Sequence, residues 1–399
     1  MKEIDIPDGW KKVKLKDVIK EVNQRNKGEK VKRVLSVTNS RGFVSQDEYF
    51  EGTVHSANIA NYKIVRKNQF AYNPSRVNVG SIDILKDYED GALSPMYVVF
   101  EVDTTKLLPE YFKYYFQTNR FYENVKNNTQ GSVRNSLNFK ALTDFDYLLP
   151  PIEEQEKIVV ILKIIDSIIE KYERLLEEKN QFIKSQFVEM FGDVVKGTKY
   201  SENQKSINDI AFVTKLAGFE FTDYIKYKDS GDIIMLRGLN CKSGKLVLDN
   251  IKWIDKETSD MLPRSKLFKG DILMTYAGTI ADVAMVDEDN KYHLAPNVAK
   301  ISINNKNEIN SIFIMYTFMM THNYIMSFAS KTSQPSISME KIRKFTYYFP
   351  PIELQNQFEE FVKLIDKQKI KLEKLIANYK TLKKGLMQQL LTGKVKVNV

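Results

Sequence analysis

The sequence predicts an α+β fold: two pseudo-symmetric α/β globular segments set apart by two long coiled-coil helices. Three observations carry this. The stretch PPIEEQEKIVVILKIIDSIIEKYERLLEEKNQFIKSQF begins at Pro150 and returns at Pro350 as PPIELQNQFEEFVKLIDKQKIKLEKLIANYKTLKKGLM, an offset of 200 residues. Neither copy meets another proline, or any glycine before Gly192 and Gly385. The segments that precede the two copies share one order of β-rich and helical stretches.

Each long helix opens on Pro-Pro-Ile-Glu, where proline suits the first helical turn and glutamate favours the positive end of the helix dipole. In the first copy apolar residues recur in steps of three and four at Ile158, Ile161, Ile165, Ile168, Tyr172, Leu175 and Phe182. The second places Phe358, Phe361, Ile365, Leu372, Leu375, Tyr379, Leu382 and Leu386 on the same register. This is a coiled-coil seam, interrupted by Lys179, Gln186 and Gln368, and such polar seam positions fix register or orientation at a cost in stability. A helix of roughly 40 residues is about 60 Å long. Alone it would leave its apolar stripe in water, so the two copies are expected to pair within one chain, the repeat supplying the matched partner. A coiled coil between two chains is the alternative, and the residues themselves leave parallel and antiparallel pairing open.

The expected divisions are 1–149, a globular segment; 150–190, the first long helix; 191–349, a second globular segment; and 350–399, the second long helix with a C-terminal tail. Each globular segment has the size of one domain. Apolar content of 43% and aromatic content of 12% are those of a folded chain. The lone Cys241 excludes an internal disulfide, and His55, His293 and His322 are scattered singly, so no zinc site is expected and each histidine reads as a core or surface residue. The N-terminus carries acids where a signal peptide needs an apolar run, and stretches such as 311–320 are too short to span a bilayer. No membrane partner and a cytoplasmic location are expected. The net charge of +9 is spread over both globular segments and the second helix, whereas the first helix is acidic; this fits contact with phosphates at two places.

In the first segment, GWKKVKLKDVIKEV (9–22) reads as a strand giving way to a short helix. Strands are expected within 32–39, 61–85 and 93–103, and a helix within 107–126. The second segment repeats the plan: 231–240 parallels 32–39, 267–288 parallels 66–86, and 293–304 parallels 94–103, with Pro296 matching Pro95. Then 309–321 parallels the helix, and Ser336, Phe345 and Tyr347 match Ser136, Phe145 and Tyr147. The chain is a tandem duplication whose halves share scaffolding and differ in loops. The tail TGKVKVNV reads as a short strand closing against the first segment.

The paired PPIEEQ and PPIELQ elements, each followed by a long helix, resemble the two conserved regions of the specificity subunit of type I restriction-modification systems. Each globular segment resembles that family's target recognition domain, through the KNQFAYN and KGDILMTYAG strands, Leu93-Ser94-Pro95 and Leu294-Ala295-Pro296, and the turn before Pro-Pro. The resemblance covers essentially the whole chain. It implies a non-catalytic DNA reader with antiparallel helices as spacer, each domain reading one half of a bipartite site. The implied partners are double-stranded DNA, two methyltransferase subunits and restriction (motor) subunits, with S-adenosylmethionine and ATP expected only on those partner subunits and no cofactor here.

Base reading calls for Arg, Lys, Asn, Gln, Ser or Thr presented from loops. Such residues crowd at Asn73, Ser75, Arg76 and Asn78, and at Gln130, Ser132, Arg134 and Asn135. The second segment has Arg237 with Asn240, Tyr276 with Thr279, and Lys331 with Ser333 and Gln334 in corresponding places. Arg41 and Lys245 are weaker candidates. Outward helix positions Glu153, Gln155 and Lys163, matched at Glu353, Gln355 and Lys363, form equivalent patches where two identical partners would dock. An adenine methyltransferase needs a Gly-rich cofactor loop and an Asn/Asp-Pro-Pro-aromatic tetrapeptide; Asn73-Pro74-Ser75-Arg76 lacks the second proline. LLTGKVKV lacks the spacing of a phosphate loop. A structural coiled-coil protein that joins subunits without reading DNA is the reading of a different class.

Overall fold

The computed structural model describes residues 6–49, 58–129 and 136–397, apart from the side chains of residues 48 and 49. The chain forms two compact units, Met1–Glu173 with Lys374–Val399, and Arg174–Glu373. Each unit takes one half of both long helices.

In the first unit, an antiparallel sheet runs in the order Ile19–Glu21, Val98–Val102, Phe70–Tyr72, Ile82–Ile84. Lys11–Lys14 pairs with Asp146–Leu149, the strand that leads into the first long helix. The expected short helix after 9–14 is a single 3-10 turn, Leu15–Asp17, followed by the strand Ile19–Glu21. Chain pairing to Val98–Val102 overrides the local helical spacing there. Beneath the sheet lies a cluster of rings, with Phe112 at 5.7 Å from Phe70 and 5.5 Å from Tyr147. Ile158 and Leu162 of the first long helix and Met387, Leu390 and Leu391 of the second complete that core. The described tail, to Val397, forms no strand; it turns at Gly393 against Pro7.

The second unit repeats this sheet in the same order: Ala211–Lys215, Val298–Ile303, Ile272–Thr275, Val283–Met285. It adds a second four-stranded sheet in which Ile233–Leu236 and Tyr292–Leu294 run parallel. Gln204–Ser206 pairs with Thr346–Tyr348 just before the second long helix. Its core gathers Phe187 and Phe191 from the first long helix, Phe358 from the second, and Phe313 from Ser311–Met320.

The long helices are Ile152–Phe191 and Ile352–Leu390, of 40 and 39 residues. Within each unit they run antiparallel. In the first, Tyr172 meets Tyr379 (ring centroids 5.8 Å) while Asp166 meets Lys383 at 2.7 Å. In the second, Phe182 meets Phe361 at 5.2 Å while Phe187 meets Phe358 at 5.4 Å. The seam differs from the expected one by a residue at alternate steps. Leu175, Phe182, Leu375 and Leu382 are exposed, and Leu162, Ile165, Ile169, Ile183, Val362, Ile365 and Ile376 are buried. Adjacent apolar pairs such as Ile161–Leu162, Ile168–Ile169 and Phe182–Ile183 offer two registers, and packing against the domains selects one. The polar seam residues Lys179 and Gln368 bond each other, Nζ to Oε1 at 2.6 Å.

The docking role expected of Gln155 and Gln355 does not survive their burial. Gln155 Oε1 accepts from Leu108 N at 2.8 Å, and its Nε2 donates to Lys106 O and Pro150 O at 2.8 and 2.9 Å. Gln355 repeats this, accepting from Asn310 N at 2.9 Å and donating to Pro350 O at 2.8 Å. Leu108 and Asn310 are the N-caps of Pro109–Tyr115 and Ser311–Met320. One amide thereby bolts each long helix to the helix of its own domain. Among the described residues no metal-ligating cluster occurs and no helix is long and apolar enough to cross a membrane. Cys241 is buried, which raises its thiol pKa to about 12.

Replacing Gln155 by alanine leaves the buried Pro150 carbonyl, the half-buried Leu108 N–H and the Lys106 carbonyl without their partner, and is expected to lower stability by about 1–3 kcal/mol. An unchanged urea midpoint would contradict the bolt. His293 is fully buried, and loss of hydration pushes its pKa below the ordinary 6.5. The unfolded chain therefore takes up this proton first as pH falls, so stability from the neutral ring is complete above about 6.5 and declines below it. In urea titrations from pH 7.5 to 5, H293N is expected to fall less steeply than the unaltered chain; parallel curves would exclude this role.

Candidate nucleic-acid interface

In the second unit the chain builds one loop-bearing edge. Lys215 pairs with Ala299 and Thr275 with Val298, so the ends of strands Ala211–Lys215 and Ile272–Thr275 meet at the start of Val298–Ile303. From this edge springs the loop 276–281, closed at its foot by Thr275 N to Asp282 O (2.9 Å) and Ala281 N to Thr275 O (2.9 Å). Tyr276 O accepts from Ile337 N at 2.9 Å, and Ala277 bridges Ser336. The structure thus brings Tyr276 and Thr279 together with the exposed turn that holds Lys331, Ser333 and Gln334.

The first unit repeats the device. Its loop 74–80 is closed by Asn73 N to Ser81 O at 3.1 Å, and Pro74 O accepts from Leu137 N at 3.0 Å, the counterpart of Tyr276 and Ile337. Ser75, Arg76 and Asn78 are exposed. Asn73 is half-buried and serves as a turn former, its Oδ1 accepting from Ser75 N at 3.0 Å. Gln130, Ser132, Arg134 and Asn135 lie outside the described residues, immediately before the segment that anchors Pro74. His55 also lies outside them.

Two candidates are engaged within the fold. Asn240 is buried, its Oδ1 accepting from Arg237 N at 3.0 Å and its Nδ2 donating to Val247 O at 2.8 Å. Arg237 donates to Asn250 O, so its guanidinium is tied to the loop after the 241–246 hairpin. Both residues organise the second sheet's loops and do not present free side chains. A residue that sequence reasoning passed over is Lys215, exposed at the strand end with its Nζ 5.3 Å from the Tyr276 ring centroid. A terminal lysine on a strand is no signal until the partner loop is known. At the exit of the same loop, burial raises the Asp282 carboxyl above the ordinary range, with Lys242 and His322 opposing.

The model of the type I restriction modification DNA specificity domain matches this chain twice, over residues 7–179 and 203–380. The chain belongs to that family. Among its relatives, the type I restriction enzyme MjaVIII specificity subunit of Methanocaldococcus jannaschii is 25% identical over 426 residues, covering 100% of this chain and 95% of the relative. Two solved structures share the fold. One, from work on complex assembly and conformational transition of the type I R-M system, has a TM-score of 0.59 at 13% identity over 98% of this chain and 100% of that one. The other, the S subunit from M. genitalium, has a TM-score of 0.51 at 13% identity over 98% of each chain.

The two specificity domains also present equivalent helix faces. Glu153, Lys163, Glu353 and Lys363 are exposed. Lys163 lines a cleft of about 550 Å³ with Lys86, Lys113 and Lys383 in the first unit. Lys363 lines one of about 1270 Å³ with Lys245, Lys269 and Lys306 in the second. Lys363 is held by Glu359 and Glu360 at 3.1 and 2.8 Å, and Lys245 by Glu373 at 3.5 Å. Arg41 lies with Asn39 and Ser40 beside Val79 and Gly80, in a cleft next to the first reading loop.

Proposed function

We propose that this chain is the DNA specificity subunit of a type I restriction-modification complex. Each domain reads one half of a bipartite target, and the long helices act as spacer and as the docking site for two methyltransferase subunits. The observation that carries the reading is the duplicated specificity domain, with the same backbone-anchored loop pair built twice and furnished with different side chains. Restriction subunits join the assembly, the chain itself is non-catalytic, and S-adenosylmethionine and ATP are held by the partners. The complex works in the cytoplasm.

The chemistry suits the task. Exposed Arg76 and Asn78 in the first domain, and Thr279, Lys331, Ser333 and Gln334 in the second, are donors and acceptors that match base edges in the major groove. Lysines such as Lys215 supply phosphate contacts, which set orientation without sequence information. Two readers joined by a fixed spacer recognise two short blocks separated by bases that neither contacts.

Co-expression with methyltransferase subunits in a host free of other adenine methylation, followed by sequencing for modified adenines, is expected to give a two-part motif with a fixed gap. Exchange of residues 1–149 should alter one half and exchange of 191–349 the other. A stable complex that methylates no motif would favour the assembly role instead. Arg76→Ala is expected to relax one base pair of the first half-motif by about 1–3 kcal/mol and leave the second intact; a uniform loss over all sites would put Arg76 on phosphates.

A further inference from the structure

The two most exposed large apolar side chains among the described residues are Phe219 at 65% and Met96 at 62%. Singly exposed apolar residues are common and need no explanation. Here the pair shares a place: each stands on the loop-bearing edge of its own domain. Met96 lies in the turn closed by Tyr97 N to Ser94 O, just before Val98–Val102, and its Sδ is 3.7 Å from Asn73 Nδ2. Phe219 is on the first turn of Gly218–Tyr224, which leaves the edge three residues after Lys215.

Neither side chain is needed where it is for packing. The Gly218–Tyr224 segment is seated by Leu216, Phe221 and Ile225 against Met235 and Ala295. Its start is pinned by Ala217 N donating to Glu220 Oε2 at 2.9 Å. A Cβ built on Gly218, or on Gly278 of the reading loop, meets nothing within 4 Å, so the space in front of this edge is open.

We propose that Met96 and Phe219 are specificity-determining residues that seat against the 5-methyl group of a thymine, one in each half of the target. The inference rests on the DNA-reading function above and names an apolar component of it. A single exposed apolar side chain, Met96 against Asn73 or Phe219 four residues past Lys215, is far too small for a protein interface, which takes about 800 Å² from each partner. In the major groove the one apolar group on a base edge is the thymine methyl, and its contact with an apolar side chain reads T against C. The polar neighbours supply the hydrogen bonds to adjacent positions.

The test uses the full chain with its methyltransferase subunits and a duplex carrying the mapped motif, in which each thymine is replaced in turn by deoxyuridine. In the unaltered complex one replacement in each half is expected to weaken binding about fourfold, the value of one buried methyl-sized group. F219A should weaken binding to the thymine duplex by a similar factor and abolish the deoxyuridine effect in the second half alone; M96A should do so in the first. F219L should keep part of the effect. Sensitivity that persists in F219A, or a duplex with no sensitive thymine, overturns the proposal. Weakened association with the methyltransferase subunits at unchanged deoxyuridine sensitivity also overturns it, by assigning Phe219 to a protein contact. Failure of the reading itself is separate: the unaltered chain then yields no motif at all.

Discussion

One buried amide in each half of the chain stands at the centre of how a domain is carried on its helix. A long helix packed only through leucines and isoleucines keeps freedom to rotate and slide, because apolar contact has no direction. Gln155 and Gln355 remove that freedom. Each sits at the foot of its long helix, accepts the N–H of a domain helix's N-cap residue and donates to the carbonyl of the first proline of its own Pro-Pro pair. Hydrogen bonds are directional, and in a buried setting a misplaced partner costs the full desolvation of the group left behind. The azimuth of each domain about its helix is therefore held by this amide, together with Trp10 Nε1 donating to Glu154 in the first unit and Asn310 Nδ2 donating to Asn356 and Glu359 in the second. The sheet edge that bears the loops is fixed to that helix with it.

A second set of polar contacts fixes the helices against each other within each unit. Adjacent apolar pairs give the seam two nearly equivalent registers, so hydrophobic burial alone would leave the alignment degenerate. In the second unit Lys179 and Gln368 meet across the seam. In the first, Asp166 accepts from the Tyr114 hydroxyl at 2.9 Å and pairs with Lys383 at 2.7 Å, joining both helices and the domain. Such groups add little net stability, since pairing barely repays their desolvation, but a slip of one residue would strand them.

These two sets of contacts also mark what was legible in the sequence. The duplication, the long helices, the main strand-bearing stretches and the matched loop regions could be read, because they follow from repeats and periodicity that are local along the chain. The seam residues were right in spacing and off by one at alternate steps, since Ile168 and Ile169 satisfy the same pattern and tertiary packing alone separates them. Gln155 reads identically as a capping residue, a solvated face or a buried bolt until Leu108 is known to lie above it. Asn240 and Arg237 looked like base readers because they are the right residue types in a loop; their partners, Val247 and Asn250, come from a later turn that no spacing rule links to them. Residue type announces chemistry, while burial decides whether it is spent inward or offered outward.

The loops themselves are held by backbone hydrogen bonds and by a few buried side chains, Val77 in the first and Ile280 and Ala281 in the second, which leaves their exposed side chains unspent. In both domains the foot of the reading loop is a pair of backbone hydrogen bonds, Asn73 to Ser81 and Thr275 to Asp282, and its flank is tied by Leu137 N to Pro74 O or Ile337 N to Tyr276 O. The main-chain part of this anchoring is indifferent to what the exposed intervening residues carry. The loop can be 74–80 with Ser75, Arg76 and Asn78, or 276–281 with Tyr276 and Thr279, on the same scaffold. Stability is drawn from the sheet and from the aromatic cores beneath, and the exposed Ser75, Arg76, Asn78 and Thr279 side chains lie outside those cores. A fold arranged this way separates the residues that must be kept for the domain to stand from the exposed loop residues, so two halves with matching architecture present chemically different edges.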